Sequence, residues 1–200
     1  MQFWFDFAST YSYPAALRVE ALARQQGISL EWKVFLLGPI FQAQGWNDSP
    51  FNLFPVQGRY MWRDLERICA DLELPFRRPS QFPRNSVLAA RVACRFAAEP
   101  WLPDFVRAVF RANFADDRDI SQPMVLERCL AGLDLPGAAL LQEARSPANK
   151  ALLRAQTEQA VALGIFGAPT FLVGDEIFWG NDRLDMALTW ATRHGGGLHQ

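Results

Sequence analysis

Ser9-Thr10-Tyr11-Ser12 sets two hydroxyls three positions apart, where the aromatic run Phe3-Trp4-Phe5-Asp6-Phe7 gives way to helical spacing at Ala15, Ala16, Leu17, Val19, Leu22 and Ala23. A hydroxyl at such a junction has two uses. It can accept from the backbone N–H groups that a helix start leaves without partners, or it can donate to an anion held where those N–H groups converge. S-x-x-S is also the spacing of a C-x-x-C redox corner with both thiols replaced. Ser9 has no base in sight, because the two histidines are His194 and His199, beside a Gly195-Gly196-Gly197 tail expected to fray. Hydrolase triads and histidine-zinc sites therefore lose their footing, and no metal is expected.

Two further corners carry chemistry. Gly167-Ala168-Pro169-Thr170-Phe171 puts a proline at the first position of an apolar strand, where its missing N–H breaks no ladder bond. Pro169 biases Ala168 toward an extended backbone whose N–H and C=O are free to pair with an extended ligand. Trp179-Gly180-Asn181-Asp182-Arg183 ends another strand and supplies a cap for a last helix, from Arg183 to about Arg193.

The elements that must position these corners follow in order. Phe3 to Phe7 reads as a strand buried on both faces. Gln26-Gly27 stops the first helix, and Ser29 to Phe35 alternates as a second strand. Residues 36–55 are loop-like, rich in Gly and Pro, with Phe41, Trp46, Phe51 and Phe54 needing something to bury against. From Arg59 the period is helical, through Met61, Leu65, Ile68 and Leu72, then Leu88, Val92 and Phe96, then Leu102, Phe105, Val109 and Phe110. Ser121 is expected to cap one helix, Pro136 to start another, and Ser146-Pro147 to start a longer one that stops at Gly164. A hairpin turning at Gly174-Asp175-Glu176 and the last helix complete the chain. The fold class is α/β: a thioredoxin-like domain, residues 1–35 and 142–200, split by a helical insertion, residues 36–141.

Composition narrows the partners. The 200 residues are 50% hydrophobic and carry 20 basic against 21 acidic side chains, for a net charge of −1 without blocks of one sign. Nucleic acid is therefore not expected, and no apolar run is long enough to span a membrane. The chain opens on a strand pattern rather than a signal peptide, so a cytoplasmic location is expected. Cys69, Cys94 and Cys129 sit in helical patterns and read as small buried apolar residues, with no disulfide framework.

Phe-Asp-Phe-Ala-Ser9-Thr-Tyr-Ser12-Tyr, Gly167-Ala-Pro169-Thr-Phe and Trp179-Gly-Asn-Asp182-Arg-Leu together resemble the 2-hydroxychromene-2-carboxylate isomerases, relatives of kappa-class glutathione transferases and of the oxidoreductase DsbA. The similarity covers nearly the whole chain, in order. It implies a thioredoxin-like fold with a DsbA-like helical insertion, a cis Pro169, bound glutathione, a homodimer, and Ser9 as hydrogen-bond donor to the glutathione sulfur. Ala168 would pair with the cysteinyl backbone, and Gly180, Asn181 and Asp182, with Arg183 beside them, would hold the γ-glutamyl end. Family members often have proline where this chain has Thr10. The reaction implied is cis–trans isomerisation of a small aromatic carboxylate, for which Trp46, Phe51, Asn52, Leu53, Arg84 and Asn85 are the candidate contacts. A kappa-like transferase that consumes the thiol, and a glutathione-binding module without catalysis, are the alternatives.

Overall fold

The computed structural model describes residues 1–194. Its four strands, β1 (Gln2–Phe5), β2 (Glu31–Val34), β3 (Thr170–Val173) and β4 (Glu176–Trp179), lie in the order β2-β1-β3-β4. β1 and β2 run parallel, with Phe3 opposite Trp32, and the crossover such a pair requires is α1 (Ser12–Gln25). β3 is antiparallel to both β1 and β4.

Phe3, Trp4 and Phe5 are all fully buried because β1 is central and covered on both faces. Phe3 stacks on Phe171 at 5.4 Å and meets Trp32 edge-on at 5.2 Å, within the larger core. Trp4 points to the other face, against Phe35, Ile40, Ala160 and Leu172. Between β2 and β3 the described chain is helical: α2 (Leu37–Ala43), α3 (Pro50–Leu53), α4 (Pro55–Asp71), α5 (Val87–Arg95), α6 (Leu102–Phe114), α7 (Pro123–Ala131), α8 (Gly137–Ala144) and α9 (Pro147–Ala162). α6 buries Leu102, Phe105, Val109 and Phe110, and the Phe110 ring lies 5.1 Å from Phe7, so the insertion shares its core with the sheet.

Two local expectations are corrected. Residues 36–55 hold α2 and α3 rather than a loop, because proline at the first turn of a helix removes only an N–H that had no partner. Ser49 caps α3 by accepting from the Phe51 N–H at 3.3 Å. Ser121 is not a cap: α7 starts one residue further on behind Gln122, whose amide donates to the Ser121 hydroxyl at 3.3 Å. Ser146 does cap α9, accepting from Asn149 N–H at 3.3 Å. The last helix, α10 (Leu184–His194), follows a short 3-10 turn over Asn181–Arg183. The glycine tail and His199 lie outside the described residues. No helix among the described residues is long and apolar enough to cross a membrane.

Candidate active site

The site begins where β1 ends. Asp6 is 3% exposed, and a carboxylate so placed is costly unless donors surround it. Three do: Ala8 N–H at 3.0 Å, Leu37 N–H at 2.9 Å and the Ser86 hydroxyl at 2.7 Å. Burial pushes the Asp6 carboxyl above its ordinary pKa, while those bonds pull it back. Asp6 thus ties the Ser9 corner to the start of α2 and to the residue before α5. The sequence reading passed over it, although a lone acid inside an aromatic run was the available signal.

Ser9 fills the first of its two expected roles and turns its proton to a backbone carbonyl. Its oxygen accepts from Ser12 N–H at 3.3 Å, a long capping bond, and its hydroxyl donates to the Ala168 carbonyl at 2.8 Å. The residue directly before α1 is Tyr11, which makes no side-chain cap. Ser12 Oγ is fully buried and has no partner among the described residues. The Ala168 carbonyl, expected to be free, is engaged by Ser9. A carbonyl keeps a second lone pair, and the Ala168 N–H donates to no group among the described residues. The Ala168–Pro169 bond is cis, as is Phe82–Pro83, which the sequence reading did not foresee. Pro169 is buried behind Ala168, and its carbonyl accepts from Gly180 N–H at 2.9 Å, joining the second corner to the third.

These corners open on one cavity of about 1260 Å³. Ser9, Ala168, Gly180, Asn181, Asp182 and Arg183 line it from the sheet side, and Trp46, Phe51, Arg84 and Asn85 from the insertion. Asn181 is buried, whereas Asp182 and Arg183 are exposed and face each other at 3.6 Å. The aromatic wall is built by packing: Trp46 lies 5.7 Å from Phe41 and 6.3 Å from Phe54. Phe51 is held because α4 runs against its backbone at Gly58, where a Cβ would stand 2.1 Å from the Phe51 carbonyl oxygen. The wall also includes Tyr11, Phe166 and Trp179, which the sequence did not mark as ligand contacts. Tyr11 donates to Asp64 at 2.9 Å, and the half-exposed Phe166 and Trp179 meet edge-on at 4.8 Å. Trp179 packs closely on Gly167, where a Cβ would stand 2.3 Å from its Nε1.

Three of the proposed substrate contacts are placed differently. Asn52 and Leu53 are not on the cavity wall. The Asn52 amide donates to Asp48 and, at 3.1 Å, to the Phe82 carbonyl, so it fastens a loop instead. Arg84 borders the cavity but is 4% exposed, and its terminal nitrogens are committed to Asp117, to Asn113 Oδ1 at 3.1 Å and to the Arg118 carbonyl at 2.8 Å. A second cavity of about 490 Å³, between α1, β2 and the start of α6, contains none of these residues.

Comparison with known proteins is consistent with this geometry. The model of the DSBA-like thioredoxin domain matches residues 1–189. The chain belongs to that family. Among its relatives is the 2-hydroxychromene-2-carboxylate isomerase of Sphingobium xenophagum, 34% identical over 186 residues, spanning 92% of this chain and 94% of the other. The human glutathione S-transferase kappa 1 is 26% identical over 203 residues, spanning 93% of this chain and 88% of the other. A solved 2-hydroxychromene-2-carboxylate isomerase superposes with a TM-score of 0.83 at 28% identity, covering 100% of this chain and 98% of that one.

This DSBA-like domain has no thiol at its corner. Cys69 and Cys94 are buried in α4 and α5, and Cys129 is partly buried in α7. Burial pushes all three thiols up to about 11, so at neutral pH they are protonated and poor nucleophiles.

Proposed function

We propose that this protein is a glutathione-dependent cis–trans isomerase acting on 2-hydroxychromene-2-carboxylate or a similar flat carboxylate from aromatic breakdown. The observation that carries the proposal is the Ser9 hydroxyl, which is buried at the end of the central strand, lines the cavity and donates only to a neighbouring carbonyl. The donor set fits a tripeptide thiol. Ser9 suits a thiolate, the Ala168 N–H, which has no acceptor among the described residues, suits a peptide backbone, and Asn181 with Asp182 suits an amino-acid end carrying both charges. When bound, glutathione supplies a thiolate that adds reversibly to an electron-poor carbon, making the neighbouring bond single until elimination returns the thiol.

The chain's own contribution is electrostatic and steric. Ser9 is a weak nucleophile without a base, so its role is to turn its proton from the Ala168 carbonyl toward the sulfur, stabilising negative charge there. A single donor so placed contributes on the order of 10²-fold in rate. Asp6 holds the corner still while this happens. The walls of Trp46, Phe51, Phe82, Phe166 and Trp179 receive a flat ring, and the 1260 Å³ between them exceeds the range of about 300–1,000 Å³ for one small ligand, as a site for two reactants requires. Asn85 keeps its amide nitrogen available for the substrate carboxylate, since its Oδ1 accepts from Val87 N–H at 2.9 Å.

A homodimer in the cytoplasm completes the reading. Phe54, Val56 and Tyr60, 46%, 70% and 63% exposed at the start of α4, offer a second copy an apolar face. The test is turnover with and without glutathione, following the isomer spectrum and the free thiol together. Isomerisation that requires glutathione and leaves its concentration unchanged is expected. Stoichiometric loss of thiol would mark a transferase, as similarity to the human kappa protein would favour, and turnover without thiol would remove the cofactor.

A further inference from the structure

Arg18 lies on α1, half-buried and away from the cavity wall. Its Nε donates to the Pro14 carbonyl at 3.3 Å, and its Nη2 donates to Asn181 Oδ1 at 3.0 Å. A guanidinium can only donate, so the orientation of the Asn181 amide is forced: the oxygen faces Arg18, and the NH2 group must face elsewhere. Asn181 is 8% exposed and lines the cavity, and its Nδ2 donates to no group among the described residues. The exposed face of that side chain is therefore a pair of donors backed by a fixed positive charge. Asp182, the next residue, is exposed on the same wall and presents the opposite charge.

We propose that Arg18 is a positioning residue for the cavity: by holding Asn181 Oδ1 it turns the Asn181 amide nitrogen toward the ligand, so that this corner selects a carboxylate beside an ammonium, the pattern of an α-amino acid. The inference rests on the glutathione reading above, in which that group is the γ-glutamyl end. Arg18 acts only through Asn181. Without it the amide is free to rotate and present its oxygen, which repels a carboxylate.

Calorimetry with two thiols tests this: glutathione, and its analogue in which hydrogen replaces the α-carboxylate of the glutamyl residue while the amine is kept. The wild type should prefer glutathione by about tenfold or more, the size of a hydrogen bond to a charged group. Arg18→Met should bring the two affinities within about twofold by weakening glutathione alone. Asn181→Asp, in which Arg18 retains one oxygen and the other meets the ligand, should reverse the preference, and it serves also if Arg18→Met does not fold. Loss of affinity for both thiols alike, with the preference kept, would make Arg18 a structural staple and overturn the proposal. A wild type that binds neither thiol would overturn the glutathione reading itself, and this inference with it.

Discussion

Ser9 and Arg84 border the same cavity, and both come from positions where the sequence pointed to ligand contact, yet their hydrogen bonds differ in kind. Ser9 donates once, to a backbone carbonyl that loses little when the bond is released, because its other lone pair can find a partner. Arg84 is fixed by Asp117, Asn113, Arg118 and Ser80, and a guanidinium so enclosed cannot turn to a ligand without stripping several acceptors at once. A hydroxyl whose one proton has a replaceable acceptor is a functional group in waiting, and a guanidinium with both terminal nitrogens committed is scaffolding. The contrast separates chemistry from architecture along one wall, and it can be broken in several ways.

The largest expected effect is on stability. Arg84→Met should cost about 3 kcal/mol, because it leaves Asp117 and several carbonyls without their donor, while the protein that stays folded keeps its turnover. Urea denaturation read beside activity at low temperature checks this, and intact stability with lost turnover would reverse the roles of Arg84 and Ser9. Next comes Ser9→Ala, expected to lower turnover on the order of 10²-fold while costing under about 1 kcal/mol of stability, since its capping bond is long. A smaller change is expected for Asp182→Ala: a weakening of glutathione binding by about 1 kcal/mol, because the carboxylate is largely exposed and its field is screened. Unchanged affinity by calorimetry would take Asp182 out of the site.

Acid should sharpen the same contrast. The Ser80 N–H and the Arg84 guanidinium hold Asp117 down to about 2, from an ordinary 3.8. A depressed carboxyl stabilises the fold above its unfolded value, so its contribution is fully present above about pH 4 and is lost as the pH falls from there toward 2. The melting temperature of the wild type should fall across that window more steeply than that of Asp117→Asn, and parallel curves would contradict the pairing. No effect at all is expected on disulfide chemistry: insulin reduction by dithiothreitol should run no faster with the protein than without it, as protonated and buried thiols require.

The sheet side of the cavity was largely legible, because its features are backbone features with local signatures. An apolar run meeting hydroxyls, a proline at a strand start and Gly-Asn-Asp at a strand end each mark a place in the chain, and the fold brings all three to one rim. The insertion side was legible only in composition. That Trp46 and Phe51 face the cavity while Leu53 does not depends on helices too short to show a period. Asn52 looked like a ligand contact because its side chain is polar, but one of its partners, a carbonyl 30 residues away, cannot be read from spacing. Arg84 failed for the same reason, since Asp117 is brought to it by the fold. Asp6 and Arg18 were missed in the opposite direction: Asp6 reads as an interruption of an aromatic run and Arg18 as one of several charges on a helix, until their partners are seen.

The measurement that bears most directly on Ser9 is the ultraviolet absorbance of the bound glutathione thiolate, titrated against pH in the wild type and in Ser9→Ala. If the hydroxyl turns from the Ala168 carbonyl to the sulfur, its loss removes a hydrogen bond that favours the thiolate over the thiol, and the bound thiol's pKa must rise in the variant. Identical titrations, with isomerisation unimpaired, would leave Ser9 as a cap and contradict its role at the sulfur.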